Sequence, residues 1–194
     1  AHNGDSGHRL HNVYSLLYNR CVYRAAEKYS KTGAFLFSRS AWTGSQRYPS
    51  QWGGDPQADW GGLIGSIRGA LSWGMSGAPY YATDVGGFYK DTRDSELFVR
   101  WSQTAVFSAH MRLHGIGQRE PWSYSQEAEY AVNQALKLRY QLIPYIQTTM
   151  QQASETGLPV MRAMALAFPD DRLARGFEIQ FMFGDALLVL PCTQ

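Results

Sequence analysis

The chain has 194 residues, 44% hydrophobic and 14% aromatic, with 18% charged and a net charge of +2. That is enough apolar material for one sizeable core. No basic stripe points to nucleic acid, and no apolar run is long enough to span a bilayer.

Residues 10–29 have helical spacing, with Leu10, Val13, Tyr14, Leu17, Cys21 and Ala25 largely on one face. Ser30-Lys31-Thr32-Gly33 breaks it. The apolar run Ala34-Phe35-Leu36-Phe37 predicts a short strand buried on both faces. A loop rich in Gly, Pro and Trp is expected over 38–59. Residues 63–73 read as a helix in which Gly65 and Gly69 permit close packing. Residues 79–83 read as a strand, Asp84-Val85-Gly86-Gly87 as a turn, 95–107 as a helix, and 109–113 as a strand ending at His114-Gly115. A long helix is expected over 126–154, split near Leu142 by Pro144. Residues 160–166 and 186–190 read as strands, with 176–183 between them. Cys21 and Cys192 have no metal-ligand spacing and are expected to be buried thiols, not a disulfide.

Helix and strand alternate, which predicts an α/β fold with parallel strands. A doubly wound sheet and part of a (β/α)8 barrel both fit. Both bind ligands at the C-terminal ends of their strands, where the polar and aromatic loops of this chain fall. No Gly-x-Gly-x-x-Gly fingerprint or phosphate loop supports nucleotide binding.

Three strand exits carry candidate chemistry: Arg39 followed by Trp52-Gly53-Gly54-Asp55, then Asp84, then Arg112 and His114. Parallel neighbours would bring these groups to one face. Asp55, in a Gly-Gly-Asp loop flanked by Trp, can be partly desolvated, a setting that suits a general acid; before Pro56 it can also be only a turn or cap residue. Asp84 also fits a turn, and Arg39 an ion pair. His110 and His114 stand four apart, but no carboxylate lies at ligand spacing, so no metal is expected. Trp42, Trp52, Trp60, Phe88 and Trp122 lie among loop residues, where aromatic rings either stack on sugar faces or anchor the loop.

Taken in order, Phe37-Ser38-Arg39-Ser40, Trp52-Gly53-Gly54-Asp55, Thr83-Asp84-Val85-Gly86-Gly87-Phe88 and Arg112-Leu113-His114-Gly115 resemble glycoside hydrolase family 31. Met161-Arg162-Ala163-Met164, Phe168-Pro169-Asp170-Asp171 and Gln180-Phe181-Met182-Phe183-Gly184-Asp185 extend the resemblance over the whole chain. The wording is most similar to the α-xylosidase and α-glucosidase branch. The resemblance implies the second half of a (β/α)8 barrel over residues 1–175 and the start of a following β-domain over 176–194. It implies Asp55 as the general acid/base of a retaining α-glycosidase. Arg39, Trp52, Asp84, Phe88 and His114 would bind the sugar, with Asp84 in a supporting role, orienting Arg39 or a hydroxyl.

No cofactor or metal is implied. The partner implied is an oligosaccharide or α-glycoside, with no nucleic acid or membrane, and a homo-oligomer of the full-length protein is compatible with it. The family's nucleophile, an Asp in a Lys-Thr-Asp-Phe-Gly-Glu-like strand, has no match here; family order puts it upstream of Ala1. The chain is therefore expected to be a piece that is inactive alone. An inert sugar-binding piece and a family transglycosylase or lyase are the alternatives. The sequence names neither the sugar nor the cellular compartment, the cytoplasm being only slightly favoured.

Overall fold

The structure, a computed structural model, describes residues 2–48, 50–90 and 93–193. It divides into two units, Ala1–Trp52 and Gly53–Gln194.

In the first unit, α1 (Gly7–Tyr29) starts where the Ser6 side chain accepts the Arg9 N–H, and it ends at Ser30, whose N–H donates to the Ala26 carbonyl. Asn19 is the buried residue of this helix, and its Nδ2 donates to the Ser40 carbonyl at 3.0 Å. Strand β1 (Phe37–Ser38) pairs in parallel with β2 (Ser50–Trp52). The rings of Phe37 and Trp52 stack at 5.1 Å. The strand expected over 34–37 is thus shorter than predicted, and Phe35 is 62% exposed. Phe37 and Ser38 are both only partly buried, so burial on both faces is not achieved. Strand β2 lies inside the span read as loop. Ser50 and Gln51 are fully buried, so its polar sequence concealed a strand.

In the second unit, α2 (Trp60–Met75) is capped by Asp59, which accepts the Gly62 N–H at 2.7 Å. Its buried face carries Leu63, Ile67, Ala70, Leu71 and Gly74. A Cβ on Gly74 would stand 3.0 Å from Pro159, so helix and strand approach almost backbone to backbone there. Strand β3 (Tyr80–Ala82) is buried throughout. Strand β4 (Asp84–Val85) pairs in parallel with β5 (Arg112–Leu113), and α3 (Ser95–Ala105) forms the crossover between them. The 84–87 segment is therefore a strand followed by a glycine turn. Arg139 donates to the carbonyls of Val106 (2.6 Å), Ser108 and Ala109 (2.8 Å) just past the end of α3.

The long helix is split as expected into α4 (Gln126–Gln141) and α5 (Ile143–Thr156), with Pro144 in the first turn of α5. Strand β6 (Met161–Ala163) gives way to a helical turn, α6 (Met164–Ala167), where a strand to 166 was expected. Met, Ala and Leu are strong helix formers, and here that propensity prevails. Strands β7 (Phe181–Phe183) and β8 (Leu187–Val189) form an antiparallel hairpin beside β6. The Tyr145 hydroxyl latches it to α5, donating to the Phe183 carbonyl and accepting the Ala186 N–H.

The core of this unit includes Trp101, Phe98, Leu63, Val85, Val132, Phe181 and Phe183. Cys21 and Cys192 are free, but both are exposed, against the burial expected of them. Cys21 sits on α1, whose apolar stripe (Tyr14, Leu17) is itself largely exposed, so helical periodicity did not translate into burial.

Candidate active site

Three segments of the second unit are bonded into one layer. The first follows Gly53, whose N–H donates to the Ala82 carbonyl at 3.3 Å. A Cβ on Gly53 would lie 2.0 Å from the Tyr81 hydroxyl oxygen, so only glycine lets the chain pass over that hydroxyl. Gly54, at φ +88°, then turns the chain and presents half-buried Asp55. The next residue, Pro56, accepts the N–H groups of Phe88 (2.8 Å) and Tyr89 (3.0 Å), and Ala58 donates back to the Tyr89 carbonyl (2.8 Å). The Asp55 segment is thereby fixed to the segment that leaves β4. A third segment, after β5, joins through Ile116, which donates to the Phe88 carbonyl at 3.0 Å.

The side chains follow this framework. Asp84 and Arg112 are register partners, and Arg112 donates to Asp84 Oδ1 from Nε at 2.8 Å and Nη2 at 2.6 Å. Burial raises the Asp84 pKa; the Arg112 bond and charge and the His114 charge oppose this, while Asp55 adds to it. Asp55, Asp84, Arg112 and His114 are thus near enough to share one field. Tyr81 beneath them is pushed up to about 12, chiefly by burial and then by Asp84. His114 is exposed, and its ring lies 5.6 Å from that of Phe88.

Of the residues nominated from sequence, Asp55, Asp84, Phe88 and His114 fall together in the second unit. Arg39 and Trp52 belong to the first, where both line a hollow of about 610 Å³ with Tyr14, Tyr18, Asn19 and Phe37. The guanidinium bonded to Asp84 is that of Arg112. Arg112 had been noticed only as a strand-end group; its position beside Asp84 follows from the β4–β5 register. Arg119, which bonds backbone carbonyls, and Tyr81, whose hydroxyl lies against Gly53, also organise the layer and had been missed, because side chains that meet backbone leave no pattern in a sequence. Among the described residues, no cluster of three His, Cys, Asp or Glu could hold a metal ion. The arrangement offers a half-buried carboxyl for proton transfer beside polar groups and an aromatic wall that can receive a sugar's hydroxyls and apolar face.

Two family descriptions match the chain: the glycosyl hydrolases family 31 TIM-barrel domain over residues 1–149, and the family 31 C-terminal domain over residues 157–194. An α-xylosidase of Emericella nidulans is 38% identical over 98% of this chain, which spans 24% of that protein. The α-glucosidase 2 of Bacillus thermoamyloliquefaciens is 34% identical over 94% of the chain and 24% of its own length. The family 31 dextranase of Flavobacterium johnsoniae, solved with glucose, superposes with a TM-score of 0.91 at 34% identity, over 97% of this chain and 25% of its own. The parallel β/α order is therefore part of a TIM barrel, with the start of the domain that follows it, and the chain belongs to glycoside hydrolase family 31.

Proposed function

We propose that this chain is the acid/base-bearing part of a retaining α-glycosidase that removes terminal α-linked sugars, of the α-glucosidase or α-xylosidase type. Asp55 is the general acid/base. Arg39, Trp52, Asp84, Phe88 and His114 bind the sugar, and a nucleophilic Asp is supplied by the remainder of the protein. One observation carries this reading: Asp55 stands on a glycine-shaped segment whose backbone is bonded to the segment bearing Asp84 and Phe88. That gives a carboxyl a fixed position beside a polar and aromatic wall. The relatives' names and the dextranase complexes with glucose and isomaltotriose support the substrate class.

In this mechanism the nucleophile attacks the anomeric carbon as Asp55 gives its proton to the departing oxygen. Asp55, now a carboxylate, takes a proton from water, which displaces the enzyme from the sugar. Direct attack requires the two carboxyl groups about 5–5.5 Å apart. Asp84, fully buried and held on Arg112, supports the sugar site from within the layer. We also propose that residues 176–194 belong to the β-domain that follows the barrel. The antiparallel hairpin there, which extends an antiparallel sheet already begun by β6, unlike the parallel pairs β1–β2 and β4–β5, supports this.

Proton NMR of the complete enzyme acting on aryl α-glucosides and α-xylosides tests the reading. The α-anomer is expected as the first free sugar. A first-formed β-anomer, or no turnover of either series, would overturn it.

A further inference from the structure

The residue that ties the segment after β5 to the segment after β4 is Arg119. It is 4% exposed, and its guanidinium donates to the carbonyls of Gly87 (Nε, 3.1 Å), Lys90 (Nη2, 2.8 Å) and Gln118 (Nη1, 3.0 Å). The slot it fills is made by glycines at two strand exits. A Cβ on Gly115 would stand 2.8 Å from Arg119 Nε and 2.8 Å from the Gly87 carbonyl oxygen. One on Gly86 would stand 3.1 Å from Arg119 Cδ. Lys90 adopts φ 67°, a left-handed conformation that a lysine rarely takes, and it is the Lys90 carbonyl that receives Nη2.

The layer continues on the other side of Gly87. A Cβ there would lie 2.4 Å from Ala58 Cα and 2.7 Å from the Gln57 carbonyl oxygen. The order is therefore the 115–119 segment, the Arg119 guanidinium, the 86–90 segment and the 56–58 segment. His114 immediately precedes the first of these and Asp55 the last.

We propose that Arg119 is a positioning residue for Asp55: by pinning the Gly87 and Lys90 carbonyls it sets where the 84–90 segment lies, and through the Pro56 bonds where Asp55 stands relative to the sugar site. This rests on the acid/base reading of Asp55. A planar guanidinium suits the task because its N–H groups diverge at fixed angles towards acceptors on separate segments. A lysine has no such fork.

The test uses the complete enzyme and aryl α-glycosides of graded leaving-group quality, with rates normalised to active sites counted by covalent labelling of the nucleophile. A displaced general acid harms poor leaving groups most, because only these need the proton as the bond breaks. Arg119→Met is expected to lose at least tenfold more kcat/KM on poor phenols than on nitrophenols, and Arg119→Lys to lie between it and wild type. Asp55→Ala is measured alongside as the reference. If Asp55→Ala is leaving-group dependent while both Arg119 variants lose activity evenly, or not at all, this proposal alone fails. If Asp55→Ala is itself indifferent to the leaving group, the acid/base reading fails and takes this proposal with it. Should Arg119→Met not fold, the graded loss in Arg119→Lys decides.

Discussion

Asp84 and Arg112 lie side by side across the parallel pair β4–β5, and two nitrogens of the guanidinium, Nε and Nη2, converge on one carboxylate oxygen, Oδ1. The other oxygen, Oδ2, is buried and has no hydrogen-bond partner among the described residues. The carboxylate is held by an ion pair that satisfies half of it and leaves an acceptor inside the layer.

The two partners of this pair are not equivalent. Removing the guanidinium strands a buried charge, which typically destabilises by about 3 kcal/mol or more. The low end applies here, because the Arg112 side chain is 35% exposed while that of Asp84 is 1% exposed. Asp84→Asn removes the charge and should cost less. Arg112→Met should therefore melt lower than Asp84→Asn, and the double variant should recover part of the loss. The pH dependence has a defined sign. Asp84 has a folded pKa above its ordinary 3.8, so the native state holds its proton more tightly and stability falls as pH rises through that range. Without Arg112 the pKa rises further, so the Arg112→Met deficit should be smaller at pH 5 than at pH 8. Melting curves at the two pH values check this.

His110 predicts the opposite slope. Burial first, and then the Arg139 charge, lower its pKa from 6.5 to about 4. Between those values the unfolded chain binds more protons than the native one, so stability rises with pH across that window and is lost as pH falls through it. Above pH 6.5 the imidazole is neutral in both states and contributes no slope. His110→Gln should flatten the decline in melting temperature between pH 6.5 and pH 4 by at most the effect of one proton. An unchanged decline would show that other groups govern it.

The parts of the fold that were legible in the sequence are those where one physical signal dominates. Periodicity marked α1, and Pro144 marked the α4–α5 break. Strand β2 was hidden because Ser50 and Gln51 are fully buried, so a strand carried no apolar pattern. Asp84 followed by valine and two glycines carries turn chemistry, yet Asp84 and Val85 are paired with Arg112 and Leu113 before the glycines turn the chain. Asp55, Asp84 and His114 were nominated because carboxyl and imidazole groups advertise chemistry. Arg119 was not, because its partners are carbonyls, and carbonyls have no sequence.

Gly53 offers a test by suppression. Its missing Cβ leaves room for the Tyr81 hydroxyl, and an alanine there would place carbon 2.0 Å from that oxygen and 3.0 Å from Cζ. Gly53→Ala should push the following segment, with Asp55, off the layer and lower kcat by an order of magnitude or more, since misplacement by about 1 Å can lower a rate about 100-fold. Tyr81→Phe removes the closest atom. Gly53→Ala/Tyr81→Phe should therefore recover part of the activity, though not all of it, because the ring edge remains close. Equal activity of the single and double variants would place the fault elsewhere than in this contact.

The sharpest prediction concerns Asp55 in the complete enzyme. A general acid contributes most when the leaving oxygen is basic; general acid–base help is typically worth about 10²–10⁴-fold. Asp55→Ala should lose kcat/KM on that scale with oligosaccharides and much less with nitrophenyl glycosides or glycosyl fluorides, whose first step proceeds unaided. The second step still needs a base to activate water, so the glycosyl-enzyme should accumulate and the time course should begin with a burst of phenol. Azide, an anion that needs no deprotonation, should attack the trapped intermediate, restore turnover and yield the α-glycosyl azide. A uniform loss across leaving groups, with neither burst nor azide product, would mean that Asp55 binds sugar or supports the loop and moves no proton. The bonds from Phe88 and Tyr89 to the Pro56 carbonyl favour the sharper outcome. They hold the backbone next to Asp55 even when its carboxyl is gone, so Asp55→Ala should remove the proton donor and leave the remainder of the site standing.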